Sequence, residues 1–256
     1  MNPILRSFDH WKVIYPTLAA VSKPGWAKLA LWQLNTLKIL TSIALGSTEK
    51  IGEAVVALLY ILFFTCPFFS SSVPMDVQPT AIPDVLLITP TCFKDDRGFF
   101  MESYNHRRFQ ESTGLTVNFV QDNHSRSSRG VLRGLHYQVQ QVQGKLIRVT
   151  QGEIFDVAVD LRSSSPTFGQ WTGAYLSDTS QQQLWIPPGF AHGFYTVSDV
   201  ADVLYKATGY YAPEYDRSLL WNDPTIAIEW PLSNAEPPLL SPKDERAKLF
   251  AEAEYF

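Results

Sequence analysis

After about position 80, apolar residues recur in short runs separated by turn residues, a pattern that predicts many short β-strands. The separators include Gln151-Gly152 and Pro187-Pro188-Gly189, which favour turns. The predicted strands are Val85–Ile88, Phe99–Tyr104, Val117–Gln121, Val131–Gln138, Leu146–Val149, Ile154–Leu161, Gly169–Leu176, Leu184–Ile186, Gly193–Val197 and Val203–Thr208. Short strands at regular spacing predict an all-β sandwich or barrel, and this cadence is typical of a cupin-like jelly-roll barrel.

Two segments of the same region have the features of short helices. Asn105–Thr113 is a helix-forming run that is followed by a stop at Gly114. Asp244–Glu254 has the apolar and charged spacing of an amphipathic helix close to the end of the chain. The predicted fold is therefore a β barrel that carries a few short helices.

The first part of the chain has longer apolar stretches with helical spacing. Leu29–Leu45 is interrupted by polar residues in the manner of an amphipathic helix. Ala54–Phe69 is almost uniformly apolar, but it is shorter than the ~20 residues that a membrane span requires, and Glu53 and Pro67 weaken it further. Two interpretations stay open, which are membrane association through residues 51–73 and a buried or poorly ordered appendage.

Serine and proline residues predict a linker between these two regions, over Ser70–Pro83. The sequence therefore predicts two parts. Residues 1–80 form a helical, partly hydrophobic extension, and residues 81–256 form the β domain.

The chain has a formal net charge of −4, and its acidic residues are concentrated in the predicted β domain. Nucleic-acid binding needs a basic surface that neutralises phosphates, so this composition argues against such a partner. The two cysteines, Cys66 and Cys92, have neither metal-ligand spacing nor the number that a disulfide framework requires. They are predicted to be unpaired thiols.

The most informative stretch is Arg133-Gly134-Leu135-His136-Tyr137-Gln138, which places a histidine within a predicted strand. The pKa of histidine lies near working pH, so His136 can accept and return a proton. Lys145 and His192 follow on later β-rich segments, and together these residues predict proton-transfer chemistry on an anionic substrate. Strict alternation along a strand would put Arg133 and His136 on opposite faces. If both side chains line one site, a bulge or bend is predicted at Gly134.

A metal-dependent cupin is the alternative that this β pattern raises. Such a site requires two histidines one residue apart, together with a carboxylate and a further histidine. Neither His136 nor His192 has a second histidine in that position, so the sequence predicts no metal site.

These motifs resemble the dTDP-4-dehydrorhamnose 3,5-epimerase family over residues 84–252. The resemblance implies a cofactor-free isomerase that converts dTDP-4-dehydro-6-deoxy-D-glucose into dTDP-4-dehydro-L-rhamnose. It implies that His136 is the base, that Lys145 stabilises the enolate oxygen, and that Tyr205 returns a proton on the opposite face. Asp244 matches the carboxylate that hydrogen-bonds and orients the base.

The resemblance also implies a surface that binds the nucleotide and the sugar. Arg133 is suited to pyrophosphate oxygens because its guanidinium is a planar fork. Tyr211 matches the aromatic residue that stacks on thymine, and Asp216 stands where the family often has a glutamate. The implied substrate-binding residues are Arg97, Glu102, Gln121, Asp122, Asn123, Arg133, His192, Tyr211, Asp216 and Lys243.

Two alternatives to a double epimerase stay open. One is a mono-epimerase that acts at C3 or C5 only, and the other is a sugar-nucleotide binding module without catalysis. The presence of both a base and an acid, His136 and Tyr205, favours the double epimerase. The resemblance further implies a homodimer in which Arg97 and Glu102 act in the partner's site. A cytoplasmic location follows from the cytoplasmic nucleotide-sugar substrate.

Overall fold

The computed structural model describes residues 75–232 and 237–256 of the chain. The strands in these ranges are β1 (Asp76–Pro79), β2 (Leu86–Thr89), β3 (Cys92–Asp95), β4 (Gly98–Met101), β5 (Gln121–Ser128), β6 (Leu132–Gln138), β7 (Lys145–Gln151), β8 (Glu153–Asp160), β9 (Trp171–Ser177), β10 (Gln183–Ile186), β11 (Phe190–Thr196), β12 (Val200–Ala207) and β13 (Asp216–Ser218). The helices are α1 (His106–Thr113) and α2 (Pro242–Glu245), and 3₁₀ turns occur at Pro213–Tyr215 and Phe250–Glu252.

The strands build two antiparallel sheets, while β3 and β4 form a separate hairpin. The first sheet has six strands in the order β1-β2-β10-β7-β12-β5, and the second has five in the order β13-β6-β11-β8-β9. From β5 onward the chain passes between the sheets at most connections. Neighbouring strands within a sheet are therefore seldom consecutive in sequence.

The apolar core lies between the sheets, because both contribute side chains to one buried cluster. Ile147 of β7 and Val203 of β12 come from the six-stranded sheet, and Phe194 of β11 comes from the other. Side chains two residues apart on a strand share a face. Lys145 therefore lies on the inner face with Ile147, and Tyr205 lies there with Val203. The core and a polar site share the same interior.

The five-stranded sheet is buried on its outer face as well. Leu135, Val157 and Ile226 belong to a second cluster, against which the late residues Phe250 and Phe256 pack. Strands that are covered on both sides have near-continuous apolar sequences rather than alternating ones. This accounts for β8 and β11, which are buried along almost their whole length.

Strand β6 contains a one-residue bulge at Gly134. Against β11, His136 pairs with His192 and Arg133 pairs with Phe194, so three steps on β6 match two steps on its partner. Gly134 has a φ of +117°, which favours glycine. A Cβ on Gly134 would also come within 2.6 Å of the β11 backbone. The bulge predicted at Gly134 is confirmed.

The prediction of a mostly β fold with few helices is confirmed. Helix α1 agrees closely with the predicted segment. It begins after Asn105, whose side chain accepts a hydrogen bond from the Arg108 N–H, and it ends at Gly114 in the left-handed conformation. The predicted strands from Val131 onward have counterparts at β6 to β12, with shifted ends.

The predicted strand over Val117–Gln121 is wrong, because β5 begins at Gln121. Val117 and Phe119 instead pack against Phe109 and Trp185 on the outer face of the six-stranded sheet. The alternation of apolar residues in this segment therefore reflects the burial of Val117 and Phe119, and not pairing with another strand. Strands β1, β3 and β13 have no counterpart among the predicted elements.

The predicted amphipathic helix over Asp244–Glu254 is also wrong. This segment contains only the end of α2 and a later 3₁₀ turn. The Lys248 N–H, which lies between them, donates to a β13 carbonyl, and the Phe250 N–H at the start of the 3₁₀ turn donates to the carboxylate of Asp223. Since other parts of the fold bind these amides, they do not form a helical ladder.

The predicted N-terminal helices, and the apolar stretch at 51–73, lie outside the described residues. Within 75–232 and 237–256, the structure contains no helix with the length and apolar character that a membrane crossing requires. Strand β1 precedes the predicted boundary at residue 80 and pairs with β2.

Removing residues 1–74 is expected to leave the β domain folded, whereas removing residues 1–80 is expected to destabilise it. Val77 of β1 pairs with Ile88, and both Met75 and Val77 pack against the cluster that contains Ile88. Loss of this packing should lower the free energy of unfolding by about 2–3 kcal/mol. Urea unfolding of the two shortened chains would measure the difference. Equal stabilities would mean that β1 contributes nothing.

Candidate active site

One cavity of about 460 Å³ brings eight of the predicted site residues together. Its walls come from both sheets, through β5, β6, β7, β11, β12 and β13, and from the segment that leads into α2. The predicted residues that line it are Arg133, His136, Lys145, His192, Tyr205, Tyr211, Asp216 and Asp244. All four residues predicted to be catalytic are in this set.

His136 and Asp244 form a hydrogen-bonded pair, with His136 Nε2 lying 2.5 Å from Asp244 Oδ1. Asp244 is only 2% exposed. Burial raises the pKa of its carboxyl, but hydrogen bonds from His136 and Ser241 and the charge of Lys243 outweigh burial, so the pKa lies below its ordinary value. The ionised Asp244 therefore accepts the Nε2 proton of His136. This leaves Nδ1 as the ring nitrogen that can take a proton.

A tight local turn positions Asp244. The Ser241 hydroxyl accepts a hydrogen bond from the Asp244 N–H at 3.2 Å and donates to Asp244 Oδ2 at 2.7 Å. Pro242 occupies the first turn of α2, where its fixed φ suits the helix and no N–H is required. The Ser-Pro-Lys-Asp sequence thus brings the carboxylate against His136.

His192 lies opposite His136 in the pairing of β11 with β6. Its Nε2 is 2.8 Å from Oδ1 of Asp156, a fully buried carboxylate. Burial lowers the pKa of His192, Asp156 opposes this, and the charges of Lys145 and His136 add to the lowering. His192 is therefore neutral near pH 7 and offers the cavity a polar group without a charge.

Lys145 places an ammonium group in the same interior. Burial lowers its pKa to about 8, although the charges of Asp216 and Asp156 raise it and that of Lys243 lowers it. Its Nζ donates to the carbonyl of His136 at 3.4 Å. A cation that is held away from water stabilises a developing oxyanion more strongly than the same cation in solvent.

Tyr205 and Arg133 complete the polar lining. Burial raises the pKa of Tyr205, Arg133 opposes this, and Asp216 raises it further. The phenol is therefore protonated at neutral pH and can donate a proton. Arg133 donates from Nε to the Ser127 hydroxyl at 2.9 Å, and from Nη2 to the carbonyl of Arg126 at 3.2 Å. These bonds orient its guanidinium at the cavity.

Asp216 forms hydrogen bonds with two further side chains, those of Tyr211 and Lys243. The Tyr211 hydroxyl donates to Asp216 Oδ2 at 3.0 Å, and Lys243 Nζ lies 2.5 Å from the same oxygen. The shorter aspartate therefore still contacts Tyr211. Lys243 contacts the lining of the cavity through Asp216 without lining it directly.

Six predicted substrate-binding residues do not line the cavity. Within the described chain, Arg97 pairs with Asp95 at the β3–β4 turn. Glu102 pairs with Arg108 at 3.0 Å, and Asp122 pairs with Lys206. The six residues are Arg97, Glu102, Gln121, Asp122, Asn123 and Lys243.

Two of the six are nevertheless connected to the cavity through Tyr211. Gln121 Oε1 accepts a hydrogen bond from the Tyr211 N–H at 2.9 Å. Gln121 Nε2 donates to Asn123 Oδ1 at 3.0 Å. These two residues hold a lining residue in place from the neighbouring strand β5.

The sequence reasoning missed Asp156 and Gln138. Asp156 interrupts the apolar run of β8, and a carboxylate within a buried strand is the signal that could have found it. Gln138 ends the Arg-Gly-Leu-His-Tyr-Gln stretch, lines the cavity and is 4% exposed. Its alternation with His136 on β6 is the corresponding signal.

Comparison with known proteins finds relatives that are named as dTDP-4-dehydrorhamnose epimerases. Residues 79–252 match the family described as dTDP-4-dehydrorhamnose 3,5-epimerase. A protein of that name from Pseudomonas aeruginosa is 62% identical over 182 residues, which cover 71% of this chain and 99% of the relative. A dTDP-4-dehydrorhamnose 3-epimerase from Streptomyces niveus is 41% identical over 180 residues, which cover 70% of this chain and 86% of the relative.

A solved structure shares the fold. The Legionella pneumophila dTDP-6-deoxy-D-glucose-3,5-epimerase, in complex with dTDP-4-keto-L-rhamnose, has 54% sequence identity and a TM-score of 0.68. The alignment covers 70% of this chain and 95% of that one. The family match includes every strand that lines the cavity. This chain therefore belongs to the dTDP-4-dehydrorhamnose 3,5-epimerase family.

Proposed function

We propose that the chain is an isomerase that inverts C3 and C5 of dTDP-4-dehydro-6-deoxy-D-glucose to give dTDP-4-dehydro-L-rhamnose. The observation that carries this proposal is the placement of the His136–Asp244 pair, Lys145 and Tyr205 around one cavity. Inversion of a carbon next to a ketone needs a base, a group that stabilises the enolate oxygen, and an acid.

The reaction begins when Nδ1 of His136 removes a proton from the carbon next to the C4 ketone. The electron pair of the broken C–H bond forms the enolate, and the negative charge develops on the C4 oxygen beside the Lys145 ammonium. Tyr205 then donates its proton to the opposite face of the carbon, which inverts it. His136 releases its proton to solvent, Tyr205 regains one from solvent, and the cycle repeats at the second carbon.

The nucleotide half of the substrate needs anion contacts and a stacking surface. Arg133 supplies a guanidinium for the pyrophosphate, and Tyr211 supplies an aromatic ring for thymine. Asp216 holds Tyr211 at its hydroxyl end, and Lys243 donates to the same carboxylate. His192 offers a neutral hydrogen-bonding group to the sugar.

A mono-epimerase is the second candidate, and it is favoured by the similarity to the Streptomyces niveus 3-epimerase. Such an enzyme would use the same base and enolate at one carbon only. A single inversion needs an acid such as Tyr205 as much as a double one does. What supports the double inversion is the higher identity to a relative named as a 3,5-epimerase, which is 62% against 41% for the 3-epimerase.

Exchange of substrate hydrogens with deuterated solvent tests the function. The wild-type chain is expected to incorporate deuterium at both C3 and C5 of the 4-keto sugar, as measured by NMR. Incorporation at one carbon would identify a mono-epimerase. A binding module without catalysis would incorporate none, and this result would overturn the proposal.

The pH profile of kcat/KM is expected to fall above about pH 8, where the buried Lys145 loses its proton. The pKa of Lys145 is lower in the folded chain than in the unfolded chain, so the free energy of unfolding rises between about pH 8 and the ordinary pKa of lysine. Deprotonation of Lys145 therefore does not cause unfolding in that range. The Lys145→Arg variant should lack this alkaline fall. The exposed Lys248→Arg change is the matched control and should keep it. A profile that is flat to pH 10 in the wild type would contradict the enolate role.

The finer features of the fold are also inferred. The shared core of the two sheets supports a cupin-like jelly-roll barrel. Residues 81–256 are proposed as the catalytic domain and residues 1–80 as an extension, with β1 pairing onto the domain's sheet. The nucleotide-sugar substrate supports a cytoplasmic location for this domain.

The enzyme is also proposed to be a homodimer whose subunits complete one another's sites. The β3–β4 hairpin exposes Phe93, Phe99 and Phe100, the last with 72% exposure. Exposed apolar side chains of this size mark interaction surfaces. Arg97 lies at the tip of this hairpin and outside its own chain's cavity. A second copy would place Arg97 and Glu102 beside the partner's substrate.

Mixing two inactive variants tests the shared site. Arg97→Ala and His136→Ala are each expected to be impaired, but a hybrid dimer would contain one site with both residues intact. An equal mixture should regain roughly a quarter of the wild-type activity. The exposed Arg107→Ala variant is the control and should stay active alone. A fully active monomer in sedimentation would exclude both the dimer and the shared site.

A further inference from the structure

Tyr211 combines a fixed position with an open ring. Its hydroxyl donates to Asp216, and its backbone N–H donates to Gln121 Oε1. Both ends of the residue are thereby held. The residue is nevertheless 56% exposed. Its ring face is thus available to a ligand.

Gln138 holds the backbone on either side of Tyr211. Its Nε2 donates to the carbonyls of Tyr210 at 3.2 Å and Gln141 at 2.9 Å. Its Oε1 accepts from the N–H of Ala212 at 2.9 Å. A single buried amide therefore connects the end of β6 to the residues immediately before and after Tyr211.

The burial of Gln138 makes these bonds hard to replace. The residue is 4% exposed, so water cannot readily take the place of its amide. Loss of the amide would leave the Tyr210 carbonyl and the Ala212 N–H without this partner. The segment that carries Tyr211 would then sample more conformations, and ordering it would oppose ligand binding.

We propose that Gln138 is a positioning residue that holds the Tyr211 ring in place for the nucleotide base. This inference rests on the proposed function, because that function assigns a thymine base to Tyr211. Gln138 acts through the backbone of the 210–212 segment. Its contribution is to pre-organise a stacking surface before the substrate arrives.

The test variant is Gln138→Met, which keeps the shape of the side chain and removes all three hydrogen bonds. Calorimetry with dTDP is expected to show a Kd about five- to tenfold above wild type. The affinity for inorganic pyrophosphate, which has no base to stack, should be unchanged. Gln140→Met is the matched control, because Gln140 is exposed two residues away, and it should bind dTDP as the wild type does.

A double-mutant cycle separates positioning of Tyr211 from a general effect on the cavity. If Gln138 acts through Tyr211, adding Gln138→Met to Tyr211→Ala should change the Kd for dTDP by less than about twofold. Additive losses, an equal loss of pyrophosphate affinity, or an unchanged Kd in the single variant would each overturn the inference. If Gln138→Met does not fold, Gln138→Glu is measured in the same cycle with the same expectations, because its carboxylate retains only the acceptor. A wild-type chain that fails to bind dTDP would instead overturn the proposed function.

Discussion

Replacing His136 with asparagine is expected to lower turnover by about 10²–10⁴-fold while the fold stays intact. Asp244 keeps its hydrogen bonds with Ser241 in this variant, although the asparagine amide is too short to replace the bond from Nε2 of His136. The amide cannot take up a proton from carbon, however. The rate should be measured by NMR of product formation, and the fold by circular dichroism.

The exposed His106→Asn variant is the matched control, since His106 lies on α1 and away from the cavity. It should retain full activity. If His136→Asn stayed within a few-fold of wild type, His136 would not be the base. Deuterium exchange should be lost together with turnover, because the base acts in the first step of the reaction.

Tyr205→Phe is expected to abolish net epimerisation while proton exchange next to the ketone continues. His136 would still form the enolate, but without the phenol the carbon is reprotonated on the face that it left. The two measurements are deuterium incorporation into recovered substrate and the yield of inverted product. Their separation identifies the acid, because loss of the base would stop both.

Tyr210→Phe provides the control for this change, because Tyr210 is exposed and does not line the cavity. A normal product yield from Tyr205→Phe would assign the second proton transfer to another donor, such as water. Loss of exchange as well as inversion would mean that Tyr205 is required for binding or for enolate formation.

The elements with regular apolar patterns were the ones that could be predicted. Strands β6 to β12 and helix α1 have either an apolar run or clear capping residues. Strand β5 could not be found in this way, because Gln121–Ser128 is polar throughout and its pairing with β12 defines it. The short β13 likewise depends on pairing with β6. Both strands are therefore defined by tertiary contacts, which the local sequence pattern does not show.

The site was predictable where a motif carried it. The His136 stretch and the Ser-Pro-Lys-Asp turn lie more than one hundred residues apart in sequence, and the fold brings them into hydrogen-bond contact. The Asp156–His192 pair was not predicted, although the carboxylate that interrupts the apolar run of β8 was a signal for it. Arg97 and Glu102 lie outside this chain's cavity, and their part in a site depends on the proposed homodimer.

The bulge in β6 changes whether odd-numbered or even-numbered residues of this strand face the cavity. Before the bulge, the odd-numbered Arg133 reaches the cavity, and after it the even-numbered His136 and Gln138 do so. A deletion of Gly134 alone would restore one parity to the whole strand. If the second half kept its place, Arg133 would still lie opposite Phe194 and would share a face with His136 by ordinary alternation. The extra residue therefore changes the count along the strand and not the face of Arg133, so alignments of this strand by simple odd–even counting fail between Arg133 and His136.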